Sequence, residues 1–141
     1  MTLKELSQLY WLNKEIAEYE RQLRDIWASM GPSGPMLTGM PKAHSGESAV
    51  ERAATEIVEL QAMLYAMLAR RREERIKLER FIMEIPDSQT RLIFRYRFVD
   101  GNTWARVARR VGGMNTDATV RHICYRYLHA TQKKEKAQPQ G

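Results

Sequence analysis

The chain has 141 residues, 43% hydrophobic and 28% charged, enough for one domain or a small domain with an extension and too apolar for a disordered polymer. It lacks the roughly 18 consecutive apolar residues that span a bilayer, its start at Met1-Thr2-Leu3-Lys4-Glu5 has no signal-peptide core, and its single cysteine, Cys124, excludes an internal disulfide framework, so a cytoplasmic protein is expected. The net charge of +6 is unevenly placed: residues 87–141 carry +7 and the first 86 carry −1, which points to a polyanion such as nucleic acid or, more plainly, to a solvated basic surface.

Residues 2–28 read as one amphipathic helix. Thr2 and Glu5 fit a capping box, in which each side chain satisfies a free amide at the helix start. Leu9, Ile16 and Leu23 are seven apart, as are Leu12, Tyr19 and Ile26, so the helix carries an a/d stripe suited to packing on another helix. Residues 29–46, with Gly31, Pro32, Gly34, Pro35, Gly39, Pro41 and Gly46, predict a Gly/Pro-rich loop.

A second long helix is expected from Ser48, with Glu51 completing another capping box, to near Pro86. Val50, Ile57, Leu64, Arg71, Leu78 and Ile85 share one heptad position, and Ala53, Leu60, Met67, Glu74 and Phe81 the other. The simplest arrangement is an antiparallel hairpin over 1–86, closed within one chain or between two, giving a monomer or a homodimer. The run Arg70-Arg71-Arg72-Glu73-Glu74-Arg75 reads as a solvated helix face, with a DNA-backbone or polymerase contact as the alternative.

Three shorter helices follow, in a domain over 87–130. Leu92, Ile93, Tyr96 and Val99 have helical spacing over 88–98, although the alternation Phe94, Tyr96, Phe98 also suits a strand. Asp100-Gly101-Asn102 marks a turn, Thr103 caps residues 104–111, and Gly112-Gly113 stops them. A last helix is expected from Asn115 or Thr116 to about Leu128, then a flexible basic tail over 131–141.

The segment from Thr103 to Leu128 has the pattern of a helix-turn-helix, whose second helix enters the major groove. Ala108 is the small residue where two crossing helices touch, the glycines allow the turn, and Trp104, Val107, Val111, Val120, Ile123 and Tyr127 are the inward positions. From Ala108 to Val120 there are two more residues than in the tightest form, so the turn is longer or the last helix starts earlier. On a helical wheel Val120, Ile123, Cys124, Tyr127 and Leu128 share one face, while Ala118, Thr119, His122, Tyr125 and Arg126 share the other, flanked by Arg121. Arginine can bond guanine with two hydrogen bonds, and threonine can bond a base or phosphate. The amides of Asn115 to Asp117 lie where a helix start can hold a phosphate, and Arg106, Arg109 and Arg110 precede the turn, where backbone contacts usually lie. A helical pair that only packs is the alternative.

His122, Cys124 and His129 cannot converge on a metal, because Cys124 lies opposite His122. No glycine-rich phosphate loop, carboxylate pair or nucleophile–base set is found, so neither enzymatic activity nor a cofactor is expected.

Val99-Asp100-Gly101-Asn102-Thr103-Trp104, with Val107-Ala108, Gly112-Gly113, Asn115-Thr116 and Thr119-Val120-Arg121, resembles the small ArpU/RinA-like late-transcription regulators of phages and prophages of Gram-positive bacteria. The likeness extends to Ile85-Pro86-Asp87-Ser88 with Arg91, and to Leu37-Thr38-Gly39-Met40-Pro41. The C-terminal domain of that family is similar to region 4 of the sigma-70 factors. The resemblance implies an all-α fold with a sigma-region-4-like helix-turn-helix, promoter binding in a bacterial host cell, and host RNA polymerase as a partner. By position it assigns DNA reading to Thr116, Thr119, Arg121, His122, Tyr125 and Arg126. Two rival readings are a small terminase subunit that recognises DNA for packaging, and a helical adaptor that binds protein and not DNA.

Overall fold

The computed structural model describes residues 1–30 and 48–138. The expected loop at 29–46 lies outside them, apart from Ser29 and Met30, as does the motif at Leu37–Pro41. The chain is all-α, with no strand among the described residues. The helices are α1 (Leu3–Leu6), α2 (Gln8–Met30), α3 (Ala49–Met83), α4 (Ser88–Phe94), a π-helical turn (Arg95–Val99), α5 (Trp104–Val111) and α6 (Asp117–Ala137).

The capping boxes form as expected. The Glu5 amide donates to Thr2 Oγ1 at 3.2 Å and the Thr2 amide to Glu5 Oε2 at 2.6 Å. Ser48 and Glu51 exchange the same bonds at 3.2 and 3.4 Å. The single helix expected over 2–28 is interrupted at Ser7, which caps α1 and whose hydroxyl donates to the Leu3 carbonyl at 2.8 Å. Every heptad residue of α2 and α3 named from the sequence is buried or half-buried, Arg71 and Glu74 included. Glu74 is satisfied by Lys77 at 3.3 Å.

The chain folds into two compact units, divided otherwise than at Pro86: residues 1–12 with everything from Arg71 form one, and Asn13–Arg70 the other. The second unit is built from parts of α2 and α3 and buries Ile16, Ile57 and Leu60. Arg21 bridges Glu18 and Asp25 on the exposed face of α2.

The first unit has one continuous core of Leu6, Leu9, Leu78, Ile82, Ile85, Ile93, Phe94, Phe98, Val107, Ala108, Val120, Cys124 and Leu128. Phe94 sits at its centre, with ring centroids 5.8 Å from Phe81, 5.5 Å from Phe98 and 5.7 Å from Tyr127. Leu6 and Leu9 are the physical reason that the N-terminal turns belong here: their side chains are sealed in this core.

Polar groups fix the corners. Asp87 caps α4 by accepting from the Thr90 amide at 2.9 Å and the Thr90 hydroxyl at 2.7 Å. Arg91 donates to the Ile85 carbonyl at 2.6 Å and to Ser88 Oγ at 2.6 Å, closing the turn after α3. Arg95 grips Glu79 with two hydrogen bonds of 2.9 and 2.7 Å, tying the π turn to α3. That bond holds the Glu79 carboxyl below its ordinary range.

The segment expected over 88–98 is helical, so its Phe94, Tyr96, Phe98 alternation does not mark a strand. The helix widens after Phe94, where the Asp100 amide reaches back five residues to the Arg95 carbonyl at 3.0 Å. Asn102 caps this wider turn, its side-chain amide donating to the Tyr96 carbonyl at 3.0 Å. The expected flexible tail over 131–141 is corrected as far as Ala137, since α6 continues through it. Thr131 Oγ1 donates back to the Tyr127 carbonyl within the helix at 2.8 Å, and Gln132 Nε2 donates to the Met1 carbonyl at 3.3 Å, the bond that docks the extra turns.

Candidate nucleic-acid interface

Thr103 starts α5 by accepting a hydrogen bond from the Arg106 amide at 3.3 Å. Val107 and Ala108 face inward, and α5 packs on α6 through them. The chain then turns through Gly112 (φ 80°) and Gly113 (φ 66°), left-handed conformations that favour glycine. The longer of the two connections allowed by the spacing is the one found: five residues, 112–116, separate the helices. Asn115 stabilises this turn, its side-chain amide donating to the Gly112 carbonyl at 2.8 Å.

Thr116 is the N-cap of α6, accepting from the Thr119 amide at 3.2 Å, and its hydroxyl also pairs with that of Thr119 at 2.9 Å. Asp117 turns its carboxylate onto the Ala118 amide at 2.8 Å. Two donors at the helix start are therefore filled internally, and the carboxylate is held at a positive helix end.

The two faces of α6 separate as the wheel predicts. Val120, Cys124 and Leu128 are buried and Ile123 and Tyr127 half-buried, whereas Ala118, Thr119, Arg121, His122, Tyr125 and Arg126 are exposed. Tyr125 leans edge-on against Trp104 at 6.0 Å, and Arg97 stacks on the same indole at 4.6 Å. Both Trp104 and Tyr96 thus serve packing.

The three arginines of α5 differ. Arg106 and Arg109 are exposed and take no ion pair among the described residues. Arg110 pairs with Asp100 at 3.1 Å and lies over the Tyr96 ring at 4.1 Å, so it braces α5 against the π turn. Of the ten positions singled out from the sequence, Asn115, Thr116 and Arg110 hold the scaffold. Thr119, His122, Tyr125 and Arg126 form one exposed face, with Arg121 at its flank.

An end to the helix near Leu128 conceals the continuation of that face. His129, Lys133 and Lys136 follow Arg126 at steps of three and four, all exposed. That spacing is the available signal. The polar composition of the segment reads as a tail because the hydrogen bond that ties it to the rest of the fold, from Gln132 to the Met1 carbonyl, is tertiary.

Cys124 is fully buried, and desolvation pushes its thiol up to about 12. It is not an exposed nucleophile, and no cluster of potential metal ligands occurs among the described residues. No helix among them is long and apolar enough to cross a membrane. No family model, curated protein or solved structure matches the chain.

Proposed function

We propose that the protein is a sequence-specific DNA-binding regulator of transcription, with α5 and α6 acting as a helix-turn-helix and α6 entering the major groove. The observation that carries this reading is the two-faced α6. Its inward side is fixed by Val120, Cys124 and Leu128, while its outward side presents Thr119, Arg121, His122 and Arg126 to solvent. Rigid seating with exposed donors, here above all Arg121, His122 and Arg126, is what base reading requires. The concentration of positive charge after residue 87 gives long-range attraction to a duplex. The resemblance to phage late-transcription regulators extends the proposal to phage or prophage promoters, with host RNA polymerase as the protein partner.

The test is a mobility-shift assay on fragments of host and prophage genome. Arg121→Ala and Arg126→Ala should each weaken specific binding by about 1–3 kcal/mol if each reads a base. Full affinity in both variants refutes the assignment. Affinity should also fall steeply with salt through counterion release, and a flat profile refutes any nucleic-acid role.

One observation favours a second reading for the Asn13–Arg70 unit. Val58 and Tyr65, seven residues apart on α3, are 65% and 69% exposed, an apolar face suited to another helix. A protein adaptor that never touches DNA would bind a partner in pull-down while failing to shift any duplex.

A further inference from the structure

The exposed face of α6 does not stop where the base-reading residues stop. His122, Arg126, His129, Lys133 and Lys136 are all exposed and take no ion pair among the described residues. At 3.6 residues per turn they fall within an arc of about 80° and span about 21 Å along the axis. Both acidic residues of α6, Asp117 and Glu135, point about 140° away from the centre of that arc. Each is also occupied: Asp117 by the Ala118 amide, Glu135 by the Met1 amine at 3.6 Å. The result is a basic rail without a carboxylate of α6, on a helix held over its last turns by the bonds of Gln132 and Glu135 to Met1.

The chemistry changes along the rail. Its first half, Thr119 to Arg126, holds side chains able to form directional bonds with base edges. Its second half holds lysines, compact point charges suited to phosphate and poor at telling bases apart. The length agrees with this division. The major groove is about 12 Å wide, whereas α6, at 21 residues, is about 31 Å long. A helix seated by its first turns overruns the groove edge, and the phosphate ridge is what its later turns meet.

We infer that α6 is a two-part recognition helix whose C-terminal half, through Lys133 and Lys136, grips the phosphate backbone of the DNA entered by its N-terminal half. This inference rests on the DNA-binding reading above. It adds a sequence-independent anchor beyond the base-reading residues, one that sets register and affinity without contributing to specificity.

The experiment is a salt titration of the full chain on a 30-base-pair duplex of mixed sequence, followed by fluorescence anisotropy. Replacing Lys133 and Lys136 with Gln keeps helix propensity and touches no core residue. The slope of log affinity against log salt should become shallower by about 1.8, or about 0.9 for each phosphate that is no longer neutralised. Between 50 and 200 mM salt the double variant should therefore lose about twelvefold less affinity than the wild type. Lys134→Gln removes the same charge from a neighbouring position that points about 120° away from the centre of the rail, and should leave the slope close to the wild-type value.

An unchanged slope in the double variant overturns the inference alone. So does an equal loss in Lys134→Gln and Lys133→Gln, which would reduce the effect to net charge. Absence of wild-type binding to any duplex, or binding to phosphatidylserine vesicles in its place, overturns both this inference and the DNA-binding reading.

Discussion

Leu6 lies in a four-residue helix at the start of the chain, yet its side chain is 1% exposed, within a core shared with Ile82, Phe94, Val107 and Val120. Leu6→Ala removes three buried carbons, a transfer loss of about 2.4 kcal/mol at about 0.8 per methylene. The cavity left behind adds to this, within a usual Leu→Ala range of about 2–5 kcal/mol. A short terminal helix can settle partly into the gap, so about 3 kcal/mol is expected. Global stability alone would not locate the effect, so the assay is native-state hydrogen exchange of the Val107, Val120 and Cys124 amides. If these helices open together with α1, their protection should fall roughly a hundredfold. Leu3→Ala, at 43% exposure, is the control and should cost about 1.4 kcal/mol at most, about half the loss expected for Leu6. Unchanged protection of the three amides in Leu6→Ala would refute the reasoning, because α5 and α6 would then be stable without the N-terminal turns.

Other consequences can be checked singly. Glu79→Gln should destabilise the fold by about 1 kcal/mol near neutral pH, a value kept small because both partners are partly exposed. The Glu79 carboxyl is held below its ordinary value, so this contribution is complete above about 4.5 and drains away as pH falls through the depressed range; variant and wild-type denaturation midpoints should converge there. The thiol of Cys124 should resist iodoacetamide at pH 8 in the folded protein and react at once in denaturant; rapid labelling of folded protein would contradict its burial. Gly112→Ala should cost about 1–3 kcal/mol in thermal or chemical unfolding, since φ 80° with ψ −164° is strained for any L side chain; the space around a new Cβ is open, so the loss would be backbone strain alone.

The features legible in the sequence are those set by local periodicity. The two heptad rows, from Leu9 to Ile26 and from Val50 to Ile85, turn inward because a 3.5-residue repeat keeps one face toward a partner. Thr2, Ser48 and Thr103 are readable as caps because a short oxygen-bearing side chain before a helix has few better uses. The outward face of α6 follows from the same wheel that gives its buried face.

What the sequence leaves open depends on partners distant in the chain. A heptad row says that Leu9 is covered but not by what, so the inclusion of the first turns in the C-terminal core cannot be read from it. The π turn at Arg95–Val99 has the apolar spacing of an ordinary helix, and the Asn102 side chain that caps it bonds six residues back. Thr131 to Lys136 looks like a solvated tail until Gln132 finds the Met1 carbonyl. The bonds of Arg110 to Asp100 and of Asn115 to the Gly112 carbonyl are equally invisible in the sequence, because each depends on how the turns around α5 fold back.

The meeting of Gln132 with Met1 has a practical consequence for anyone rebuilding this molecule. A fragment cut at Asp87 would keep α5 and α6 while discarding Leu6, Leu9, Leu78, Ile82 and Ile85, five of the side chains that seal the pair's underside. The surface proposed to read DNA is therefore not a portable cassette. Grafting it onto another protein would require both ends of the chain to travel together, and a bulky tag fused ahead of Met1 would crowd the far end of the very helix it was meant to leave undisturbed.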